Sequence, residues 1–167
     1  FLGREILLEN LSSYVEFQQS DMPEWEFVAQ VAQRSGCRIL LDVNNIQVSA
    51  RNHGFDPYDY LAGIPGDRVW QIHLAGHSDY GEYCIDTHDH DVPAHVWALY
   101  ERAIARFGAV STMIERDDDF PPLRTAAPRN SEVPVDRAPM REVVCRADAD
   151  DRLRLGIAHE LAPLSAC

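Results

Sequence analysis

Arg38-Ile39-Leu40-Leu41-Asp42 is an apolar run of strand length that ends in a carboxylate. A short, almost wholly apolar stretch of this kind is the pattern of a strand. The pattern recurs on either side. Upstream, Glu5-Ile6-Leu7-Leu8-Glu9 also closes on a carboxylate; downstream, Val69-Trp70-Gln71-Ile72-His73 closes on an imidazole, and Val110 to Glu115 on a carboxylate again. Between these runs the periodicity changes to that of helices. Pro23 to Arg34 places Trp25, Val28, Ala29 and Ala32 on one face, with Asp21 as candidate cap, Pro23 in the first turn and Gly36 as the stop. A short helix is expected around Tyr58 to Gly63. A longer one over Pro93 to Phe107 has Val96, Leu99, Tyr100, Ala103 and Phe107 on one face and Gly108 beyond. Residues 43–57 and 77–91 read as long loops.

Strands alternating with helices imply βαβ units and a parallel sheet. The strand ends recur every 30 to 40 residues or so, one unit per step. Four such units make half of an eight-fold (β/α) barrel, and a half barrel leaves an open strand edge on each side. The expected architecture is therefore α/β: half of a TIM barrel over residues 1–123, followed by an irregular tail over 124–167. The chain opens on Phe1, and a longer N-terminal portion is expected to precede this half in the ordinary protein. In the tail, Arg141 to Arg154 has helical composition but no apolar stripe.

Composition narrows the function classes. Of 167 residues, 27 are acidic and 15 basic, for a formal charge of −12. Binding to a phosphate backbone needs clustered cations, and this chain contains no lysine, so nucleic acid is not the expected partner. No apolar run reaches membrane-spanning length and no signal peptide is visible. Cys37, Cys84, Cys145 and Cys167 form no CxxC pair, and a disulfide framework is not expected; a reducing cytoplasm fits.

In a parallel barrel, ligands bind where the strands end and the following loops converge. Glu9, Asp42, His73 and Glu115 stand at those ends. Burying three carboxylates together without cations is unfavourable, because each resists the ionisation of the others; a shared multivalent cation removes the penalty. Metal binding is the economical reading. Asp86 and His88, two apart in an extended segment, can face the same metal while Thr87 points away. Asn45 is a candidate amide ligand, whereas Asn44 reads as structural. His53, beside a Gly and Pro turn, either approaches substrate or serves the turn. His77 lies four after His73 without the Glu of an HExxH motif, so a role behind the ligands or toward substrate is expected. His90, His95 and His159 read as solvated histidines. Carboxylates and imidazoles without thiolate favour iron, manganese or zinc.

Several blocks are specific enough to carry a family resemblance. Glu9 to Phe17 (ENLSSYVEF), Met22 to Phe27 (MPEWEF), Leu40 to Pro57 (LLDVNNIQVSARNHGFDP), Gln71 to Asp79 (QIHLAGHSD), Ile85 to Asp89 (IDTHD) and Ile114 to Leu123 (IERDDDFPPL) resemble the MbnB-like multinuclear non-haem iron barrel family of methanobactin biosynthesis, in its C-terminal portion. The resemblance implies a TIM barrel holding two or three irons. It further implies a small partner subunit, a ribosomally made precursor peptide containing cysteine, and oxidation of that cysteine with O2 to a copper-binding heterocycle. By motif it assigns Glu9, Asp42, His73, Asp86, His88 and Glu115 as metal ligands, with Asn45 beside them. Three departures are visible. Two further histidine ligands that the family carries upstream are absent, and Arg116 replaces a Trp, which is expected to put a cation beside the metals. Beyond Leu123 the closing helix is not recognisable, as a shifted reading frame would produce. The alternatives are a divalent-metal barrel of the sugar-isomerase or endonuclease type, for which the lack of lysine is unfavourable, and an inactive metal-binding fragment.

Overall fold

The structure, a computed structural model, describes residues 3–120 and the backbone of two short strands at 145–147 and 153–155. Four parallel strands form the main sheet: β1 (Leu7–Glu9), β2 (Arg38–Asp42), β3 (Val69–Leu74) and β6 (Ser111–Ile114), in the order β1-β2-β3-β6. Each crossover moves one place in the same direction, and right-handed crossovers then put the helices on one side of the sheet. These helices are α1 (Glu24–Ser35), α2 (Val43–His53), α3 (Pro57–Gly63) and α4 (Ala94–Phe107).

The core lies between that side and the sheet. Ile39 and Leu41 of β2 and Ile72 and Leu74 of β3 pack with Val28 and Ala32 of α1, Val43 and Ile46 of α2, Tyr60 of α3, and Val96, Leu99 and Ala103 of α4. Ile39, Leu41 and Ile72 have no exposed surface, whereas Leu40, on the opposite face of β2, is only half-buried. The alternation of strand side chains decides which residues can reach the helices and which cannot.

The expected elements are present, with several local differences. The α1 helix has Val28, Ala29 and Ala32 buried as the spacing predicts, and Gly36 closes it at φ 79°, where the glycine N–H donates to the Ala32 carbonyl. Its N-cap, however, is Pro23, and Asp21 makes no cap. The larger correction concerns residues 43–57, expected to be a loop. Helix α2 starts directly where β2 ends, with Asp42 as its N-cap and Gly54 as its C-cap at φ 76°. Likewise residues 77–91 contain a small antiparallel hairpin, β4 (Ser78–Asp79) with β5 (Cys84–Ile85). In the tail, where a helix over 141–154 was an option, β7 (Cys145–Ala147) and β8 (Leu153–Leu155) pair antiparallel. Among the described residues no helix is long and apolar enough to cross a membrane.

Candidate metal centre

The sheet register brings the strand ends together. Asp42 is the in-register partner of His73, and His73 of Met113. Just beyond β6, the Glu115 N–H donates to the Leu74 carbonyl at 2.8 Å, extending the ladder by one residue and fixing where its side chain starts. Glu9 ends β1, two positions from the Asp42 row. Glu9, Asp42, His73 and Glu115 each offer a donor atom, and these atoms lie within 4.8 Å of one another. His73 Nδ1 is 3.1 Å from Glu115 Oε2 and 4.0 Å from Glu9 Oε1. On its other side, His73 Nε2 lies 3.2 Å from Gln71 Nε2.

Asp42 is the most constrained member. It has no exposed surface. Asn10 holds its backbone from both directions, donating from Nδ2 to the Asp42 carbonyl and accepting from the Asp42 N–H, each at 2.9 Å. As N-cap, Asp42 Oδ1 accepts from the Asn45 N–H at 2.7 Å. The second oxygen, Oδ2, is buried without a hydrogen-bond partner, as is Asn45 Oδ1. A buried acceptor left unpaired costs about 1–3 kcal/mol, more when charged. Burial accordingly pushes the Asp42 carboxyl up to about 7, a tendency that the Asn45 N–H only partly offsets. Burial also raises Glu9, against the pull of His73. Glu115 goes the other way, held low by its hydrogen bond with His73.

A second group adjoins the first. His88, Glu115 and Asp117 also bring donor atoms within 4.8 Å of one another, so Glu115 belongs to both sets. His88 Nδ1 is 3.2 Å from Asp117 Oδ2 and 3.7 Å from Glu115 Oε2. His88 Nε2 sits 2.7 Å from Asp86 Oδ1, yet off the line that a hydrogen bond needs, and this buried nitrogen has no well-aligned partner. Pairing with Asp86, opposed by burial, pushes His88 up to about 9. The backbone is bent to present this ring: His88 has φ 52°, its N–H donates to the Gly76 carbonyl, and its carbonyl accepts from the Asp117 N–H. Gly76 is required there, because a Cβ would lie 2.2 Å from the His90 carbonyl oxygen.

The remaining expected residues fall around these sets. Asp86 belongs to neither group of three or more, but touches His88 and receives the Asn44 amide. Thr87 turns aside to Ser78 and Asp89. His53 Nε2 lies 2.9 Å from the Ser13 carbonyl oxygen and Nδ1 3.6 Å from Glu16, so it ties down the segment that follows β1. His77 reaches Asn44 and His95. His95 is therefore exposed but not merely solvated, while His90 is exposed and paired with Asp89. His159 lies outside the described residues. Arg116 was expected beside the metals. Its guanidinium instead donates to the carbonyls of Asp89, Asp118 and Asp119 and to the Asp91 carboxylate, none of which belongs to either ligand set.

Asp117 and Asn10 were not picked out from the sequence. Asp117 lies in an acidic run that reads as plain surface charge, and 65% of its side chain is exposed. Asn10 had a signal: an amide placed directly after a strand-end carboxylate, much as Asn44 and Asn45 stand just beyond Asp42 and Val43.

A four-stranded parallel sheet with carboxylates and imidazoles converging at its strand ends defines an α/β domain with a candidate metal site. The chain belongs to the RiPP precursor modification enzyme family MbnB/TglH/ChrH, whose family model matches residues 1–133. It is 66% identical to a UPF0276 protein of Anaeromyxobacter sp. over 122 residues, covering 73% of this chain and 43% of that protein. Identity to a UPF0276 protein of Caulobacter vibrioides is 64% over 122 residues, covering 73% and 44%. For a UPF0276 protein of Acaryochloris marina it is 50% over 121 residues, covering 72% and 44%. The chain thus spans less than half the length of these curated relatives.

Proposed function

We propose that this chain is the metal-binding part of an enzyme that oxidises cysteine residues in a ribosomally made precursor peptide. The cofactor is a cluster of two or three irons, and O2 is the co-substrate. The observation that carries the reading is the sharing of Glu115 between two ligand sets, in a site where Asp42 Oδ2, Asn45 Oδ1 and His88 Nε2 are buried without aligned partners. A carboxylate between two groups of donors suits a bridge between cations, and orphaned buried donors suit an ion that would satisfy them.

Glu9, Asp42, His73 and Glu115 would hold one ion, and His88, Glu115 and Asp117 a second, with Asp86 beside His88 and the Asn45 amide oxygen beside Asp42. The donors are oxygen and imidazole nitrogen without thiolate, a set that suits iron, manganese or zinc. Iron, if held there, would supply one-electron chemistry with O2, which zinc cannot. A small partner subunit and a cytoplasmic setting complete the proposal, as does a barrel whose other strands lie in the part of the relatives that this chain does not span.

The test is anaerobic reconstitution with Fe2+, metal counting, and then exposure to O2 with a cysteine-containing precursor peptide and the partner subunit. Two or three irons per chain, O2 uptake, and loss of both free thiol and hydrogen mass from the peptide are expected. Retention of zinc or manganese in preference to iron would favour the divalent-metal barrel. Retention of no metal would overturn the reading.

A further inference from the structure

Behind the ligand sets, Asn44 has no exposed surface and occupies both ends of its amide. Its Nδ2 donates to Asp86 Oδ1 at 2.7 Å, and its Oδ1 lies 2.7 Å from His77 Nδ1. The orientation of this amide is chemically determined. An ionised carboxylate only accepts, so the NH2 end must face Asp86 and the oxygen must face His77. That oxygen in turn requires His77 to carry its proton on Nδ1. His77 Nε2, now the acceptor, faces His95 Nε2 at 3.4 Å. A single direction of donation therefore runs inward from the exposed His95 through His77 and Asn44 to Asp86, and it leads to the carboxylate that touches His88 Nε2.

We propose that His77 is a positioning residue that, acting through Asn44, fixes the Asp86 carboxylate and with it the His88 imidazole. Asp86 Oδ1 accepts from Asn44 and also lies 2.7 Å from His88 Nε2, so the Asn44 amide limits rotation of the carboxylate and fixes the oxygen that the imidazole faces. Partners one step behind a ligand typically change metal affinity by about 10–100-fold. This inference rests on the metal centre proposed above, and it goes further by assigning His77, which lies outside both donor sets, a definite atom and a definite proton.

The test compares His77→Leu with His77→Asn in the whole chain. Leucine removes the donor, whereas the asparagine amide nitrogen sits close to where imidazole Nδ1 sits and can donate to Asn44. Mn2+ is the probe, with free ion read from its electron paramagnetic resonance signal. Metal-free thermal unfolding and circular dichroism establish that both variants are folded. His77→Leu is expected to weaken Mn2+ binding by about tenfold, and His77→Asn to restore it to within about threefold of the parent. Equal affinity in His77→Leu and the parent overturns the inference, as does a His77→Asn variant as weak as His77→Leu. Asp86→Ala separates this from the underlying reading. If Asp86→Ala binds Mn2+ like the parent, Asp86 has no part in the metal centre and the inference falls with that assignment. If Asp86→Ala is weak while His77→Leu is not, only the positioning role fails.

Discussion

Replacing Asp42 by asparagine sets folding stability and metal binding in opposition, and the structure gives the size of each effect. In the metal-free protein the Asp42 carboxyl is pushed from 3.8 to about 7, with burial as the leading cause. Between those pH values the native protein retains a proton that the unfolded chain has released. Unfolding free energy therefore falls as pH rises from about 4 to about 7 and levels off above, in all by about 4 kcal/mol for this one group. The acid end of that window lies near the isoelectric point of 4.8 and is unsuitable for measurement. Between pH 5.5 and pH 7 the remaining part is about 2 kcal/mol. Asp42→Asn keeps the cap, because its Oδ1 can accept from Asn45 as the carboxylate does, and it cannot ionise. In chelator, urea denaturation followed by fluorescence of Trp25, Trp70 and Trp97 should show the parent losing about 2 kcal/mol across that range relative to the variant. At pH 8 the variant should be the more stable protein. With saturating metal the ranking should reverse, since an ion at a hundred times its Kd adds about 2.7 kcal/mol to a protein that binds it and little to one that has lost the ligand. Parallel pH profiles for the two proteins in chelator, or a variant less stable than the parent at pH 8, would refute the argument that Asp42 is held ionised against its surroundings.

Metal binding itself should depend on pH with a fixed sign. His88 at about 9 and Asp42 at about 7 must both lose protons to become ligands, so apparent Mn2+ affinity should climb from pH 6 to pH 9. Calorimetry in buffers of different ionisation enthalpy should find proton release on binding; a pH-independent affinity contradicts the assignment. Asn10→Ala removes two buried hydrogen bonds to the Asp42 backbone, and a loss of about 2–4 kcal/mol is expected by urea denaturation. Gly76→Ala introduces a Cβ 2.2 Å from the His90 carbonyl oxygen and forces apart the segments that present His88. Mn2+ affinity should fall by about tenfold or more, and an unchanged affinity would show that the His88 loop is not held by that close approach.

The parts of this site that could be read from the sequence are those whose cause is local. Each strand announces itself by a continuous apolar run, and its end by one polar side chain, so Glu9, Asp42, His73 and Glu115 are visible without knowing their neighbours. Helix α2 was hidden for a physical reason. Its residues Asn44, Asn45 and Ser49 are polar and yet buried, because they hydrogen-bond to Asp86, to Asp42 and Asn10, and to Ser13 rather than to solvent. Their polarity masks the stripe that Val43, Ile46 and Ala50 would otherwise display. Moreover, Asp42 ends a strand and caps a helix with no residue between, so the usual loop signal is missing. Asp117 becomes a candidate ligand only because His88 adopts a left-handed backbone conformation that its sequence does not require. The link from His77 to Asp86 spans residues 44, 77 and 86 and exists only after the sheet has placed α2 beside the hairpin.

Asp42, the central donor of the first set, cannot relax away from its neighbours, and this is the strongest physical reason for a resident cation. Glu9 and Glu115 are tied to strand ends, and Asp42 is held at its backbone by Asn10 and at one carboxylate oxygen by the start of α2. The N-terminus of that helix favours a negative charge at Asp42. Burial nevertheless outweighs it, as the upward displacement of the carboxyl shows. A surface cluster of acids relieves its repulsion by rotating side chains into water. Here the backbone fixes the starting points, and Asp42, the central member, has no exposed surface through which to do so. Protonation offers one relief, and it is incomplete near neutral pH. A multivalent ion offers the other, satisfying Asp42 Oδ2 while neutralising Glu9 and Glu115 in the same step. The rigidity that leaves the metal-free site unfavourable is therefore what would prepare it to bind a metal.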